Sequence, residues 1–341
     1  MPRKTIRNLI TSPELLAQIN PENQQLVDDF LSYLRSIQRS ETTIAGYLND
    51  INIAMVWNLQ CNGNKPFVDW TKRNVVAYQN WLLNDNKNSP ARVKRLKASL
   101  SSMSNYICNV LDDEFPNFKN IINKVESPVN APVREKSIFT EEQIDELLER
   151  LTENKRYGKA CALALALYSG RRKAELLRFK VSDFGEDHLT CGGALYRSDP
   201  IKTKGRGIQG KMLECFCLAK KFKPYFDNWM QFRKENGIES IWLFPDRECP
   251  EEPMKITTLN SWAETFSRQI GTDFYWHAMR HMTVTNFKRF GIPDTVIQSY
   301  IGWSDLSMVS IYSDLKADEQ LSMYFNEDGM VKPETKTLAE L

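Results

Sequence analysis

Four short segments in the second half of the chain carry side chains suited to chemistry on a phosphate ester. They are Ser169-Gly170-Arg171-Arg172-Lys173-Ala174-Glu175-Leu176, Ile201-Lys202-Thr203-Lys204-Gly205, His277-Ala278-Met279-Arg280-His281, and Ile301-Gly302-Trp303 with Tyr312 nine residues beyond the tryptophan. Attack on a phosphodiester drives negative charge onto the non-bridging oxygens, and preorganised cations aimed at those oxygens lower the barrier most. Arginine suits that task because its fork grips phosphate oxygens in pairs and keeps its charge. A tyrosine hydroxyl, ordinarily with a pKa of about 10, needs a nearby base or a cationic field before it attacks. The oxygen that leaves needs a proton, which a lysine delivers if neighbouring cations lower its pKa. Each segment taken singly is a weak signal. Arg172 alone reads as a solvated arginine between Arg171 and Lys173, and Tyr312 beside the apolar Ile311 reads as a packed core tyrosine.

The pattern of the chain predicts the elements that must position these groups. Residues 1–22 form a poorly patterned arm. Apolar residues then recur at helical spacing through Leu26, Phe30, Leu31, Leu34 and Ile37, and again through Ile44, Tyr47, Leu48, Ile51 and Met55. A third helix is expected over 71–84, and Ser89-Pro90 opens a long fourth one with Val93, Leu96, Leu100, Met103, Ile107 and Leu111 on one face. Residues 23–122 thus predict an all-helical domain, and 123–138, with Pro128 and Pro132 and no periodicity, a linker. Thr140-Glu141-Glu142-Gln143 fits a capping box, so a larger domain opens near 139 and runs to 315. In it, a helix from Tyr157 is interrupted at Ser169-Gly170, glycines punctuate short strand-like runs over 187–218, and helices resume around 220–236, 257–270, 277–290 and 294–301. The expected fold is therefore mainly α with a small antiparallel β-sheet. Residues 316–341 are an acidic tail with a short apolar patch, Leu321, Met323, Tyr324 and Phe325.

Composition excludes several classes. The 341 residues are 42% hydrophobic and 26% charged, which fits a globular protein of about two domains. The longest nearly unbroken apolar run, Cys161 to Tyr168, is eight residues, far short of the roughly 20 that span a bilayer. Met1-Pro2-Arg3-Lys4 has no apolar segment behind it, so no secretory signal is expected. Seven cysteines form no CxxC and read as free thiols of a reducing cytosol. With only His188, His277 and His281, no grouping has zinc-site spacing, and neither a metal nor another cofactor is expected. The net charge of +2 is uninformative, but residues 1–136 hold 17 Lys and Arg against 13 Asp and Glu, and 313–341 hold 3 against 7.

The four segments, in this order and with Gly302-Trp303 placed nine residues before Tyr312, resemble the tyrosine recombinase (phage integrase) family. The resemblance covers about 138–315, and the helical domain before it resembles the family's core-binding domain. Trp303 stands where most members carry histidine, a variation some members share. The resemblance implies that Arg172 and Arg280 clamp the scissile phosphate, that His277 moves the proton of Tyr312, and that Trp303 offers its indole N–H to a phosphate oxygen while packing the nucleophile's segment. It implies that a lysine on the β-hairpin protonates the leaving oxygen, and Lys202, which precedes Thr203, is favoured over Lys204. Glu175 is expected to orient an arginine across a helical turn. His281 either shapes the pocket or touches phosphate. Arg92, Lys94, Arg95 and Lys97 open the long helix and are expected to contact DNA phosphates, the two domains closing around a duplex.

The implied activity is site-specific recombination of double-stranded DNA, through a 3′-phosphotyrosyl intermediate and a four-way junction, needing neither metal nor ATP. Partners implied are the recombination sites, three further copies in a homo-tetramer on DNA with a monomer or weak oligomer when free, and an accessory DNA-bending protein, with no membrane. The expected location is the cytoplasm, with the nucleoid. The tail's apolar patch is expected to dock on a neighbouring protomer, and the short stretch before residue 23 to leave little room for an arm-binding domain. A type IB topoisomerase, a telomere resolvase and a catalytically silent DNA-binding regulator remain open at this level.

Overall fold

The computed structural model describes residues 10–129, 139–203, 210–315, 321–322, 325–326 and 329–330. They fall into two compact units, one up to residue 129 and the other from residue 139 on. The first unit is helical: α1 Pro13–Leu16, α2 Pro21–Ser36, α3 Glu41–Cys61, α4 Lys72–Asn80 and α5 Pro90–Val110, with one π-helical turn at Trp81–Asp85 after α4. Local chemistry starts these helices. Asn20 accepts from Glu22 N ahead of Pro21, Ser40 accepts from Thr43 N, and Ser89 accepts from Arg92 N ahead of Pro90. The apolar faces read from the sequence meet in one core around Phe30, Ile51, Met55, Leu96, Leu100 and Met103.

Two boundaries differ from the sequence reading. The expected arm is ordered from residue 10: Ser12 caps α1, Ile19 is buried, and Asn20 and Asn64 interlock through two hydrogen bonds of 3.0 and 3.2 Å. Four helical residues are too few to leave a periodic signal. The expected linker begins later than 123, because Ile122 is buried and the carbonyls of Val125 and Glu126 accept from Lys97 Nζ at 2.8 and 3.2 Å. Residues 130–138 of that linker lie outside the described residues.

The second unit is built on α7, Tyr157–Ser169, whose residues from Ala160 to Leu167 are all buried. Such a helix needs cover on every side. It packs among α6, Glu141–Glu153, α9, Ala219–Glu235, and α11, Trp276–Arg289. Also here are the short α8, Lys173–Leu176, and α10, Ile256–Ile270, α12, Asp294–Ile301, and α13, Ser307–Tyr312. The region expected to hold one small sheet holds two. Strands β1 (Leu189–Thr190), β2 (Leu195–Arg197) and β5 (Phe216–Leu218) form an antiparallel sheet in the order β1-β2-β5. Strands β3 (Ile201–Thr203) and β4 (Lys211–Leu213) pair separately, Lys202 opposite Met212. Two-residue strands β6 (Phe325–Asn326) and β7 (Gly329–Met330) pair in the tail. Cys215 and Cys217 share a buried face, and all seven cysteines are free thiols.

One turn joins the core to the chemistry. α7 ends in Gly170, at a φ of 60°, and a Cβ there would stand 2.6 Å from Ile301 Cδ1. Both the left-handed backbone and the close approach of α12 require glycine. Gly170→Ala should therefore lower stability by roughly 2–4 kcal/mol, the sum of a left-handed strain and an overpacking cost. A chemical-denaturation midpoint equal to the wild type's would refute it.

Candidate active site

The segment after α7 turns back on itself so that Arg172 caps α8. Its backbone N–H and its Nη1 both donate to the carboxylate of Glu175, each at 3.0 Å, and Glu175 is buried. This is a capping-box reach from the third helical residue to the cap, with the cap's own side chain added. Arg172 keeps 38% of its side chain in solvent. α11 supplies His277, Arg280 and His281 at positions one helical turn apart, so all three share a face. Arg280 is 1% exposed, donates from Nη1 to Gly170 O at 3.1 Å, and lies 4.0 Å from Glu175 Oε2. Glu175 therefore lies between the two arginines, the orienting place expected of it.

Tyr312, the last residue of α13, arrives in this cluster nearly buried, at 7% exposure. Its hydroxyl and His277 Nε2 share a hydrogen bond of 2.8 Å. Its ring stacks on His281 at 4.6 Å, leans on Trp303 at 4.8 Å, and lies 5.4 Å from the Arg280 guanidinium carbon. That guanidinium also sits 4.9 Å above the Trp303 ring. His281 Nδ1–H donates to the backbone carbonyl of Tyr312 at 3.2 Å and approaches Asp314 Oδ2 at 3.5 Å. His281 thus shapes the tyrosine's seat. Asp314 is fixed in turn by its N–H on Thr285 Oγ1 at 3.0 Å.

Electrostatics sets the protonation of the pair. Desolvation of the His277 ring, with His281, Arg280 and Arg172 adding like charge, brings its pKa from 6.5 down to about 4. The imidazole is therefore neutral at pH 7, and its Nε2 lies 2.8 Å from the phenol oxygen. Burial, then Arg172, also lowers the pKa of Arg280, which stays charged at neutral pH. The cluster leaves donors unused. Arg280 Nε and Nη2 and Trp303 Nε1 are buried and find no hydrogen-bond partner among the described residues. Buried polar groups are nearly always paired, and here three such donors surround one tyrosine.

Lys202 stands on the exposed side of β3, between buried Ile201 and Thr203, and its carbonyl accepts from Arg178 Nη1. Its hairpin reaches the Trp303 segment, since Leu213 Cδ1 lies 3.0 Å from where a Cβ on Gly302 would be. Lys204 lies outside the described residues. In the helical unit the four basic residues part ways. Lys94 is exposed, while Arg92 and Arg95 pair with the buried Asp50 at 2.8 and 3.1 Å. Lys97 corrects the sequence reading: it is 3% exposed, and its ammonium donates to Gln79 Oε1 and to the Val125 and Glu126 carbonyls. It braces the end of the helical unit and has no free face for phosphate. One residue was passed over. Arg171, adjacent to Arg172 and given no role by the sequence reading, is 1% exposed, and a turn this short has no periodicity to reveal it.

The lowered pKa of His277 has a measurable consequence. Its folded value lies below the ordinary 6.5, so its contribution to stability is present above pH 6.5 and is lost as pH falls toward 4. An imidazole NMR titration should place the His277 midpoint near 4, and in Arg280→Met, with one cation gone, higher. A wild-type midpoint at 6.5 would contradict the geometry.

Known proteins share sequence and fold with this chain. The model of the phage integrase family matches residues 137–319, and that of the phage integrase N-terminal SAM-like domain matches residues 26–116. The SPbeta prophage-derived recombinase-like protein YomM of Bacillus subtilis is 26% identical over 260 residues, 75% of this chain and 74% of that protein. Tyrosine recombinase XerC of Caldanaerobacter subterraneus subsp. tengcongensis is 24% identical over 329 residues, 89% of this chain and 87% of its own. The fold is shared with the Tn1549 transposon integrase in complex with transposon right-end DNA (TM-score 0.64, 15% identity, 87% of this chain and 97% of that one). It is shared as well with the lambda integrase tetramer bound to a Holliday junction (TM-score 0.61, 16% identity, 85% and 77%). A histidine-bound tyrosine under a buried arginine, carried on a fold and sequence that match along both units, makes this chain a member of the phage integrase family, the tyrosine site-specific recombinases.

Proposed function

We propose that this recombinase cuts duplex DNA with Tyr312 and exchanges strands between two recombination sites. The observation that carries the reading is the 2.8 Å hydrogen bond between the Tyr312 hydroxyl and a neutral His277, placed beside the unpartnered donors of Arg280 and Trp303. The scissile phosphate sits against Arg172 Nη, Arg280 Nε and Nη2 and Trp303 Nε1. His277 takes the phenol proton as Tyr312 Oη attacks phosphorus. The P–O5′ bond breaks, the 5′-oxygen takes a proton from Lys202, and a 3′-phosphotyrosyl bond remains. The bond energy is conserved, so a 5′-hydroxyl from a partner duplex reverses the step and joins the strands. Two such rounds pass through a four-way junction, and four protomers supply the four tyrosines. The likeness to a prophage recombinase-like protein and to a transposon integrase supports a role in moving a mobile element. On the helical unit, Lys94 and Arg95 are exposed, which supports their assignment as phosphate contacts.

The test is covalent capture. Nicked suicide duplexes drawn from a randomised pool should yield a protein–DNA adduct on denaturing gels. Tyr312→Phe should abolish it, Tyr225→Phe should not, and Arg280→Ala should slow it by roughly 10²–10³-fold. An adduct that survives Tyr312→Phe overturns the assignment.

The acidic tail supplies a second expectation. Leu321 is exposed, while the side chains of Met323, Tyr324 and Phe325 lie outside the described residues. A chain ending at residue 316 should bind single sites with unchanged affinity and fail to assemble into tetramers by analytical ultracentrifugation. Normal assembly would rule out docking by the tail.

A further inference from the structure

α12 ends four residues' worth of backbone carbonyls, Gln298, Ser299, Tyr300 and Ile301, that no helical N–H can satisfy. Gly302, at a φ of 73°, turns the chain so that Trp303 N–H reaches Gln298 O at 3.0 Å and Gly302 N–H reaches Ser299 O at 3.2 Å. This is a Schellman cap, and it covers two of the four. The other two are taken by one side chain. Arg171 donates from Nη2 to Tyr300 O at 2.5 Å and from Nη1 to Ile301 O at 3.1 Å. The residue immediately beyond the completed cap is Trp303, the ring that touches both Arg280 and Tyr312. Arg171 itself leaves the turn whose Gly170 carbonyl holds Arg280 and whose Arg172 meets Glu175. One buried guanidinium therefore ties together two segments 130 residues apart that each contribute to the same site.

We propose that Arg171 is a positioning residue for strand cleavage, which completes the cap of α12 and so fixes Trp303 against Tyr312 and Arg280. The proposal rests on the recombinase reading above. Packing alone does not call for an arginine here. A buried charge bound to two neutral carbonyls is costly, and an apolar side chain of similar volume would fill the same space while leaving those carbonyls unpartnered. What an apolar side chain does not do is hold two adjacent carbonyls in one plane, and lysine, a point charge on a flexible stem, does so poorly. The charge matters as well: Arg171 is among the cations that depress the pKa of Arg280.

The experiment uses the full chain with Arg171→Met, Arg171→Lys and Arg171→Gln, against wild type and Trp303→Phe. The indole N–H resonance of Trp303, assigned by its loss in Trp303→Phe, reads the cap directly. Suicide duplexes recovered by wild-type capture read cleavage and binding. In Arg171→Met the Trp303 resonance should shift or broaden, single-turnover cleavage should fall 10–100-fold, and DNA affinity should stay within twofold, with Arg171→Lys intermediate. If Arg171→Met does not fold, Arg171→Gln, which keeps one amide donor, carries the same readouts. A Trp303 resonance coincident with the wild type's, or unchanged cleavage, overturns the proposal. Parallel losses of melting temperature, binding and cleavage also overturn it, since they show a structural role only. A wild type that forms no adduct, with Trp303 displaced in Arg171→Met, overturns the recombinase reading and leaves the cap standing.

Discussion

Two guanidinium groups, those of Arg171 and Arg280, are enclosed in the protein interior at 1% exposure each. Enclosing a positive charge is expensive unless dipoles or anions surround it. The chain answers with the ends of two helices. Arg280 sits at the C-terminus of α7 on Gly170 O, and Arg171 sits at the C-terminus of α12 on Tyr300 O and Ile301 O. Helix C-termini carry partial negative charge and orphan carbonyls, so each cation meets a complementary pole. Both helices end in left-handed glycines, which free those carbonyls to face inward. Glu175 adds the one carboxylate, shared between Arg172 and Arg280.

The compensation stops short of completion, and the proposed chemistry uses the shortfall. Two of the three guanidinium nitrogens of Arg280 and the Trp303 indole N–H have no partner among the described residues. Burial first, and the neighbouring cations after it, keep His277 uncharged. The charges proposed to hold a phosphate thus help burial keep a proton off the histidine. Tyr312 is held from several sides, through its hydroxyl, its ring face and its backbone carbonyl, and that leaves its oxygen little freedom before substrate arrives.

How much of this the sequence carries depends on the range over which each signal acts. Helix starts at Ser89-Pro90 and Thr140 are local, made by a side chain and an N–H three residues away, and they stand where the sequence reading placed them. α2 instead starts at Asn20-Pro21, inside the expected arm, and α3 is capped by Ser40. The apolar run from Cys161 to Leu167 lies in a helix whose complete burial only the packing shows. By contrast α1, the tether of Val125 to Lys97 and the splitting of the strands into two sheets rest on contacts between segments far apart, and short elements leave no period.

The site divides in the same way. Residue types and order, read through a family resemblance, pointed to Arg172, His277, Arg280, Trp303 and Tyr312, because spacing along α11 and the Gly302-Trp303 to Tyr312 interval are written in the chain itself. Only the tertiary structure decided which basic residues face inward. Lys97 and Arg171 look in sequence like any solvated cation, yet both are buried by backbone carbonyls that other segments bring to them. Charge is a property of a residue, while burial belongs to the packing of its neighbours, and those neighbours are here up to 130 residues away.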